Sequence, residues 1–139
     1  MHPLIESYQQ TNQFGTTNGL HLEILAPGHI RYTLPIQDHH LALPKVVHGG
    51  VIAGMMDAVL SVAGLSLVAD SEQVVGTVEF KINYLAPAAP GDVLTGEGKV
   101  VKSGKRLLVT EGSISNQEGQ PVAIGTGTLN AYPAEKSGL

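Results

Sequence analysis

The chain has 139 residues, of which 42% are hydrophobic and 14% are charged, and its formal net charge is −4. This length suits one domain with its own core, and the hydrophobic content excludes an intrinsically disordered chain. The acidic balance argues against nucleic-acid binding, and the absence of cysteine excludes disulfides, thiol catalysis and cysteine-ligated zinc. We therefore expect a single domain over residues 1–139 in a reducing, cytoplasmic compartment. The low share of charged residues favours a homo-oligomer, in which another copy covers part of the surface.

The predicted elements begin with a polar arm over residues 1–18, in which residues 3–10 favour a short helix that starts with a proline. Residues 20–25 and 29–36 predict two strands joined by a tight turn that contains proline and glycine. Residues 37–47 are predicted to form a loop that leads into the next element.

A long apolar segment follows at residues 51–69, where Asp57 is the one charged residue. The segment is long enough to cross a membrane, but it also contains two serines and two glycines and has no basic or aromatic flank. A helix that is apolar on nearly all sides is equally typical of a domain core. We favour a core helix that a sheet wraps around, and we expect no membrane partner.

The second half of the chain predicts that sheet, with strands at residues 73–85, 93–102, 105–115 and 121–130. In the first of these, alternation predicts that one face carries Val74, Val78, Phe80, Ile82 and Tyr84, and the other Thr77, Glu79, Lys81 and Asn83. A two-residue turn is predicted at Ser103-Gly104, and residues 133–139 are expected to form a tail. The expected fold class is α+β, with an antiparallel sheet wrapped around one long central helix.

Three adjacent residues at the start of the apolar helix, His48, Gly49 and Gly50, predict a site for developing negative charge. The first N–H groups of a helix have no partner within it, and glycine lets another group approach them closely. Together with the helix dipole, these N–H groups are able to hold an oxyanion. The alternative is a flexible joint between loop and helix.

Asp57 is the second candidate, because an ionised carboxylate in an apolar helix is costly unless it is paired or hydrogen-bonded. It serves as a general base or a nucleophile, or else it is a structural partner of a basic residue on a neighbouring strand. It lies about 12 Å from the helix start, because a helix rises about 1.5 Å per residue. We infer that Asp57 and Gly49, if they act together, come from different chains of a dimer.

A stripe of small or polar residues runs along one face of the same helix at steps of four, three, four and three: Gly50, Gly54, Asp57, Ser61 and Gly64. Small side chains let a slender ligand or another backbone come close. The stripe therefore predicts either substrate-binding positions at Gly50, Gly54 and Ser61 or tight packing against a second copy.

The segment from His48 to Asp57 resembles the helix of hotdog-fold acyl-CoA thioesterases of the PaaI-like subgroup, in which HGG precedes an acidic residue at this spacing. The strand from Thr77 to Pro87 is similar to the family's next strand, which typically ends in Tyr/Phe-x-x-Pro. Gly91-Asp92 and the predicted hairpin around residues 102–106 also fit. The resemblance covers about residues 20–132 and implies the hotdog fold, assembled as homodimers and usually homotetramers.

The resemblance implies hydrolysis of an acyl-CoA thioester to a free acid and CoA, without a metal or redox cofactor. The Gly49 N–H would polarise the thioester carbonyl. Asp57, contributed by the other subunit of the dimer, would activate water or form a transient anhydride. His48 would help to orient the substrate, and Thr77 would bond the attacking water or the carboxylate.

Basic residues at the predicted hairpin add modest support, because a CoA nucleotide carries several phosphate charges. Lys102, Lys105 and Arg106 are therefore predicted to bind substrate, although a solvated hairpin carries such residues as well. One position departs from the family pattern, which commonly has Asn or Gln six residues before the HGG histidine. This chain has Ala42 there, so that it either lacks the amide or replaces it with Gln37, His39 or His40. The departure leaves open a non-catalytic module that binds acyl-CoA or an acyl carrier.

Overall fold

The computed structural model describes residues 1–139 as a six-stranded antiparallel sheet with one long helix on its inner face. The helices are α1 (Pro3–Thr11), α2 (Gln13–Asn18) and α3 (Gly49–Val68). The strands of this sheet are β1 (His21–Ala26), β2 (His29–Pro35), β5 (Gln73–Tyr84), β6 (Val93–Ser103), β7 (Leu107–Ser115) and β8 (Pro121–Pro133). Their order is β1-β2-β6-β7-β8-β5, and a small hairpin of β3 (Leu41–Leu43) and β4 (Val46–Val47) precedes α3. The predicted α+β architecture is confirmed.

Helix α3 forms the centre of the core, because it is apolar on nearly every side and packs against five strands of the sheet. By length and hydropathy it would pass as a membrane span, but 67% of its apolar window is buried inside the domain. A side chain at Gly98 would collide with the backbone oxygen of Val59, so glycine is needed where helix and strand approach this closely. Four other glycines of the sheet lie under α3 in a similar way: Gly96, Gly112, Gly125 and Gly127.

The N-terminal arm is fastened to α3 rather than free. Helix α1 begins at Pro3 as predicted, and its Ile5 side chain is buried in a cluster with Leu65. Asn12 connects the two short helices, because its Oδ1 accepts the Gly15 N–H at 3.0 Å and its Nδ2 donates to the Tyr8 hydroxyl at 3.1 Å. The arm is thereby held against the helix that carries Asp57.

The prediction of an unstructured loop at residues 37–47 is wrong in part. The segment contains a 3-10 turn at Asp38–His40 and the β3–β4 hairpin. Backbone bonds to residues outside the segment hold it, with the Val47 N–H donating to the Ala88 carbonyl at 2.9 Å. No local sequence pattern predicts such contacts, because they depend on chain segments that are distant in sequence.

The predicted two-residue turn at Ser103-Gly104 is also wrong. Ser103 still pairs with Leu108 in the β6–β7 ladder, and the Gly104 N–H donates to the Leu107 carbonyl at 2.8 Å. The turn therefore spans residues 104–106, and a shift in register between Val100 and Lys102 absorbs the additional length.

A bulge in β5 changes which side chains face α3. Thr77 pairs with Leu129 of β8, but Glu79 pairs with the very next residue, Thr128, so Val78 is an extra residue in the strand. Beyond the bulge the alternation is shifted by one residue. The prediction that Thr77 shares a face with Glu79 is therefore wrong, because Thr77 faces α3 and lies on the same side as Phe80 and Tyr84.

Candidate active site

The start of α3 is capped so that one backbone N–H stays available. The Gly50 N–H donates to Nδ1 of His48 at 2.7 Å, and the Val51 N–H donates to the His48 carbonyl at 3.0 Å. The Gly49 N–H, by contrast, has no partner in the protein. The Tyr84 hydroxyl donates to the Gly49 carbonyl at 2.8 Å and fixes the same peptide from the sheet side. The helix therefore begins with one free, positioned donor at its positive end.

His48 has a structural role that the sequence did not indicate. Because its Nδ1 accepts a hydrogen bond, the neutral ring carries its hydrogen on Nε2, which is left as a donor. Its assignment to substrate orientation, and that of Gly50 to substrate binding, stay predictions. Since the Gly50 N–H is already engaged by His48, Gly50 contributes to any contact mainly through its small size.

The loop before the helix depends on the buried side chain of His40. Its Nδ1 accepts the Gln37 N–H at 3.0 Å, and its carbonyl accepts the His48 N–H at 2.8 Å. The imidazole is fully buried, and its Nε2 has no hydrogen-bond partner. Burial lowers the pKa of His40 below its usual 6.5, and the neighbouring His39 acts in the same direction.

This buried imidazole predicts a loss of stability in acid. The folded chain binds the His40 proton less tightly than the unfolded chain, so folding is favoured above pH 6.5 and weakened as the pH falls below it. Between pH 7.5 and 5.5, urea unfolding of the wild type should show a larger loss of unfolding free energy than His40→Asn, by at most about 1.4 kcal/mol per pH unit. Asparagine retains an acceptor for the Gln37 N–H but does not titrate. Equal pH dependence in the two proteins would contradict this assignment, and the exposed His21→Asn serves as the control.

Asp57 lies in the groove between α3 and β5 and is held by Thr77. The Thr77 hydroxyl donates to Asp57 Oδ1 at 2.7 Å. No lysine, arginine or histidine forms an ion pair with Asp57, so the alternative of a structural ion pair is not seen within the chain. The bulge at Val78 is what turns Thr77 toward the helix, as bulges next to functional sites often do. One carboxylate oxygen is thus oriented, while the group keeps no fixed counter-charge.

The N-terminal arm contacts α3 on both sides of Asp57. Phe14 lies over Gly54, one turn before Asp57, where a methyl group would come within 2.7 Å of its Cζ. Tyr8 lines a cleft together with Ser61, one turn after Asp57. Burial is the main cause that raises the pKa of Tyr8, and the charge of Asp57 adds to the rise. The sequence alone did not indicate either aromatic residue, because no pattern in the arm pairs Tyr8 or Phe14 with positions on a distant helix.

The other predicted substrate-binding residues are spread over two places. Ser61 lines the cleft one helical turn beyond Asp57. Gly64, which ends the stripe but was not predicted to bind substrate, packs against Leu129 in the core. The tip that holds Lys102, Lys105 and Arg106 is exposed, and β8 and β7 separate its strand from β5. Three strand spacings amount to about 14 Å, so the tip does not touch Asp57 of its own chain.

Ala42 does not supply the amide side chain that the family commonly has at this position of the loop. Ala42 is exposed in β3 and offers no polar side-chain atom. His40 is buried and points inward, where it cannot reach a ligand. His39 lies against it with ring centroids 4.1 Å apart and remains exposed.

The sequence model of the thioesterase superfamily matches residues 44–123, which include the capped helix start, Asp57 and Thr77. The chain belongs to the thioesterase superfamily. The resemblance drawn from the HGG segment and its acidic residue is confirmed for the family and for the hotdog fold. The roles of individual residues stay predictions.

Three known proteins illustrate the similarity. Acyl-coenzyme A thioesterase 13 of Homo sapiens is 28% identical over 104 residues, which are 74% of this chain and 73% of that protein. A hypothetical thioesterase of Streptococcus pneumoniae, solved with coenzyme A, is 28% identical with a TM-score of 0.74, over 82% of this chain and 89% of that one. The PaaI protein of E. coli has a TM-score of 0.82 over 92% of this chain and 90% of its own, and at 20% identity it shows a shared fold.

Proposed function

We propose that this member of the thioesterase superfamily hydrolyses acyl-CoA thioesters to a free acid and CoA. The observation that carries the proposal is the Asp57 carboxylate, which Thr77 holds in an open groove and which has no counter-ion in the chain. The similar human protein is named an acyl-coenzyme A thioesterase, and the similar Streptococcus pneumoniae protein was solved with coenzyme A. These names support CoA as the carrier of the acyl group.

The reaction needs a base or nucleophile and a donor for the oxyanion. Asp57 takes a proton from water as the water oxygen bonds to the thioester carbon, and the Gly49 N–H stabilises the oxyanion that forms. The carbon–sulfur bond then breaks, and the proton passes to the sulfur of CoA. Alternatively, the Asp57 carboxylate attacks the carbon itself, CoA leaves, and water hydrolyses the resulting anhydride. Both routes use the same two groups.

The two groups are brought together when two copies of the chain pair along β5. This strand is a long edge of the sheet, and its Val78 side chain is 59% exposed, which is a surface that favours pairing with another strand. Helix α3 runs antiparallel to β5, from Tyr84 at its start to Thr77 beside Asp57. An antiparallel pair with its two-fold axis between residues 80 and 81 sets Thr77 opposite residue 84 of the second copy. The Gly49 of the second copy then lies level with Asp57.

The exposed basic tip is a candidate to bind the CoA portion of the substrate. Lys102, Lys105 and Arg106 form no ion pair within the chain and are free to attract the phosphate groups of CoA. We further propose that dimers associate into tetramers in a cytoplasmic compartment, and that the reaction needs no metal or redox cofactor.

The test is release of thiol from a panel of acetyl-, octanoyl-, palmitoyl- and phenylacetyl-CoA by the wild type and by Asp57→Asn. We expect release that depends on Asp57 from at least one thioester. Ala42 favours the second candidate, a module that binds acyl-CoA without turning it over. No release from any thioester, with CoA ligands still raising the melting temperature, would reject the hydrolase in favour of that module.

A further inference from the structure

An apolar cleft opens between the N-terminal arm, α3 and the first residues of β5, one helical turn beyond Asp57. Its volume is about 260 Å3, and seven of its nine lining residues are hydrophobic. Leu65 and Val74 lie at its base, Tyr8 forms the wall on the side of the arm, and the C-terminal Leu139 borders it. No charged side chain lines it, so it suits an uncharged, apolar group.

The cleft continues the groove that holds the reacting groups. Ser61 follows Asp57 by one helical turn, about 6 Å along α3, and lines the cleft. Val75 lies on the same side of β5 as Thr77, two residues earlier, and also lines it. A thioester carbonyl placed at Asp57 therefore has the cleft directly on one side.

In the proposed dimer, the second copy's α3 points away from the cleft. The second copy's α3 would begin level with Asp57 and run toward the later residues of β5, which is away from the cleft at its first residues. The CoA portion and the acyl portion of a bound substrate would then extend from the carbonyl in different directions. The cleft is consequently available to the acyl portion.

A second, larger pocket is not suited to binding the acyl portion. It has a volume of about 540 Å3 and lies on the outer face of the sheet, across the sheet from Asp57. Lys81, Lys99, Glu97 and Glu111 line it, and one of its ten lining residues is hydrophobic. Charged walls do not suit an apolar acyl group.

We propose that the cleft binds the acyl group and selects acyl groups of medium size, and this rests on the thioesterase function proposed above. An apolar cavity of about 150 Å3 holds one benzene molecule, so about 260 Å3 suits roughly six to ten carbon atoms. Ser61 sets the width of the entrance, because a larger side chain there would fill it. Leu139 borders the cleft on its exposed side and limits its length there. Long chains such as palmitoyl exceed the volume.

Binding to the Asp57→Asn protein tests this independently of turnover. Dissociation constants are measured for acetyl-, octanoyl- and palmitoyl-CoA by calorimetry. Each buried methylene favours binding by about 4-fold, so octanoyl-CoA should bind at least about 50-fold more tightly than acetyl-CoA even if only about three of its additional methylenes are buried. Palmitoyl-CoA should gain nothing beyond octanoyl-CoA. A ratio of octanoyl to acetyl affinity below about 3-fold, or a steady gain up to palmitoyl, would overturn the proposal.

Substitutions at the cleft provide the matched comparison. Ser61→Phe should lower the ratio of octanoyl to acetyl affinity at least 10-fold, whereas Ser61→Ala, which removes the hydroxyl without filling space, should keep the ratio. Leu139→Ala should move the preference toward longer chains, and it tests the cleft even if Ser61→Phe fails to fold. Unchanged ratios in folded Ser61→Phe and in Leu139→Ala would overturn the proposal. Absence of hydrolysis by the wild type would reject the hydrolase but leave these binding ratios decisive for the cleft.

Discussion

Asp57→Asn is expected to reduce the rate of thioester hydrolysis by about 10²- to 10⁴-fold, because it removes the carboxylate that we propose activates water or attacks the thioester. Asparagine has nearly the same shape and keeps an oxygen to accept the Thr77 hydroxyl, which lies 2.7 Å from Oδ1 in the wild type. The variant should therefore fold and bind acyl-CoA normally. The loss should appear in kcat, with KM changed much less.

The matched control is Asp70→Asn, which makes the same change of charge at an exposed residue beyond the end of α3. It should hydrolyse thioesters at the rate of the wild type. An Asp57→Asn protein that retains more than about a tenth of the wild-type kcat would show that another group carries the reaction.

Gly49→Pro is expected to reduce kcat by about 10²- to 10³-fold, the loss typical of removing one oxyanion donor. Gly49 is the first residue of α3, a position where proline is well tolerated because its N–H has no helical partner. His48 has φ −61° and ψ 131°, which are values that suit a residue before proline. The substitution thus removes the free N–H while the helix start is preserved.

Gly49→Ala is the matched control, because it adds a carbon atom but keeps the N–H. A Cβ at this position would lie 3.6 Å from the Tyr84 ring, which is an ordinary contact distance. We expect Gly49→Ala to retain most of the activity. Equal losses in both variants would assign the effect to the added bulk and remove the Gly49 N–H from the mechanism.

Mixing the two inactive variants tests whether each site is shared between chains. In a dimer of one Asp57→Asn chain and one Gly49→Pro chain, one site carries both lesions and the other carries neither. Random exchange of subunits should therefore restore about a quarter of the wild-type activity. No recovery from a mixture shown to contain hybrid dimers would place both groups of a site in the same chain.

Much of the site followed from local sequence. His48-Gly49-Gly50 before an apolar segment indicated a helix start with free N–H groups, and the structure leaves the Gly49 N–H free. The spacing to Asp57 fixed their separation along the helix, since the rise per residue is constant. The role of Thr77 came from resemblance, and simple alternation placed it on the wrong face. The bulge at Val78 could not be predicted, because a bulge depends on how two strands pair.

The sequence by itself determined the α+β class and the placement of Gly49 and Asp57 on one helix, because these depend on short-range spacing and on hydrophobic period. The family was indicated by resemblance to known thioesterases. The tertiary structure alone decided the rest. It brought Phe14 onto Gly54, buried His40 beneath the loop, and assembled a cleft from the arm, α3, β5 and Leu139. These contacts join residues that are far apart in the chain, and each is set by how whole elements pack rather than by any pattern within one of them.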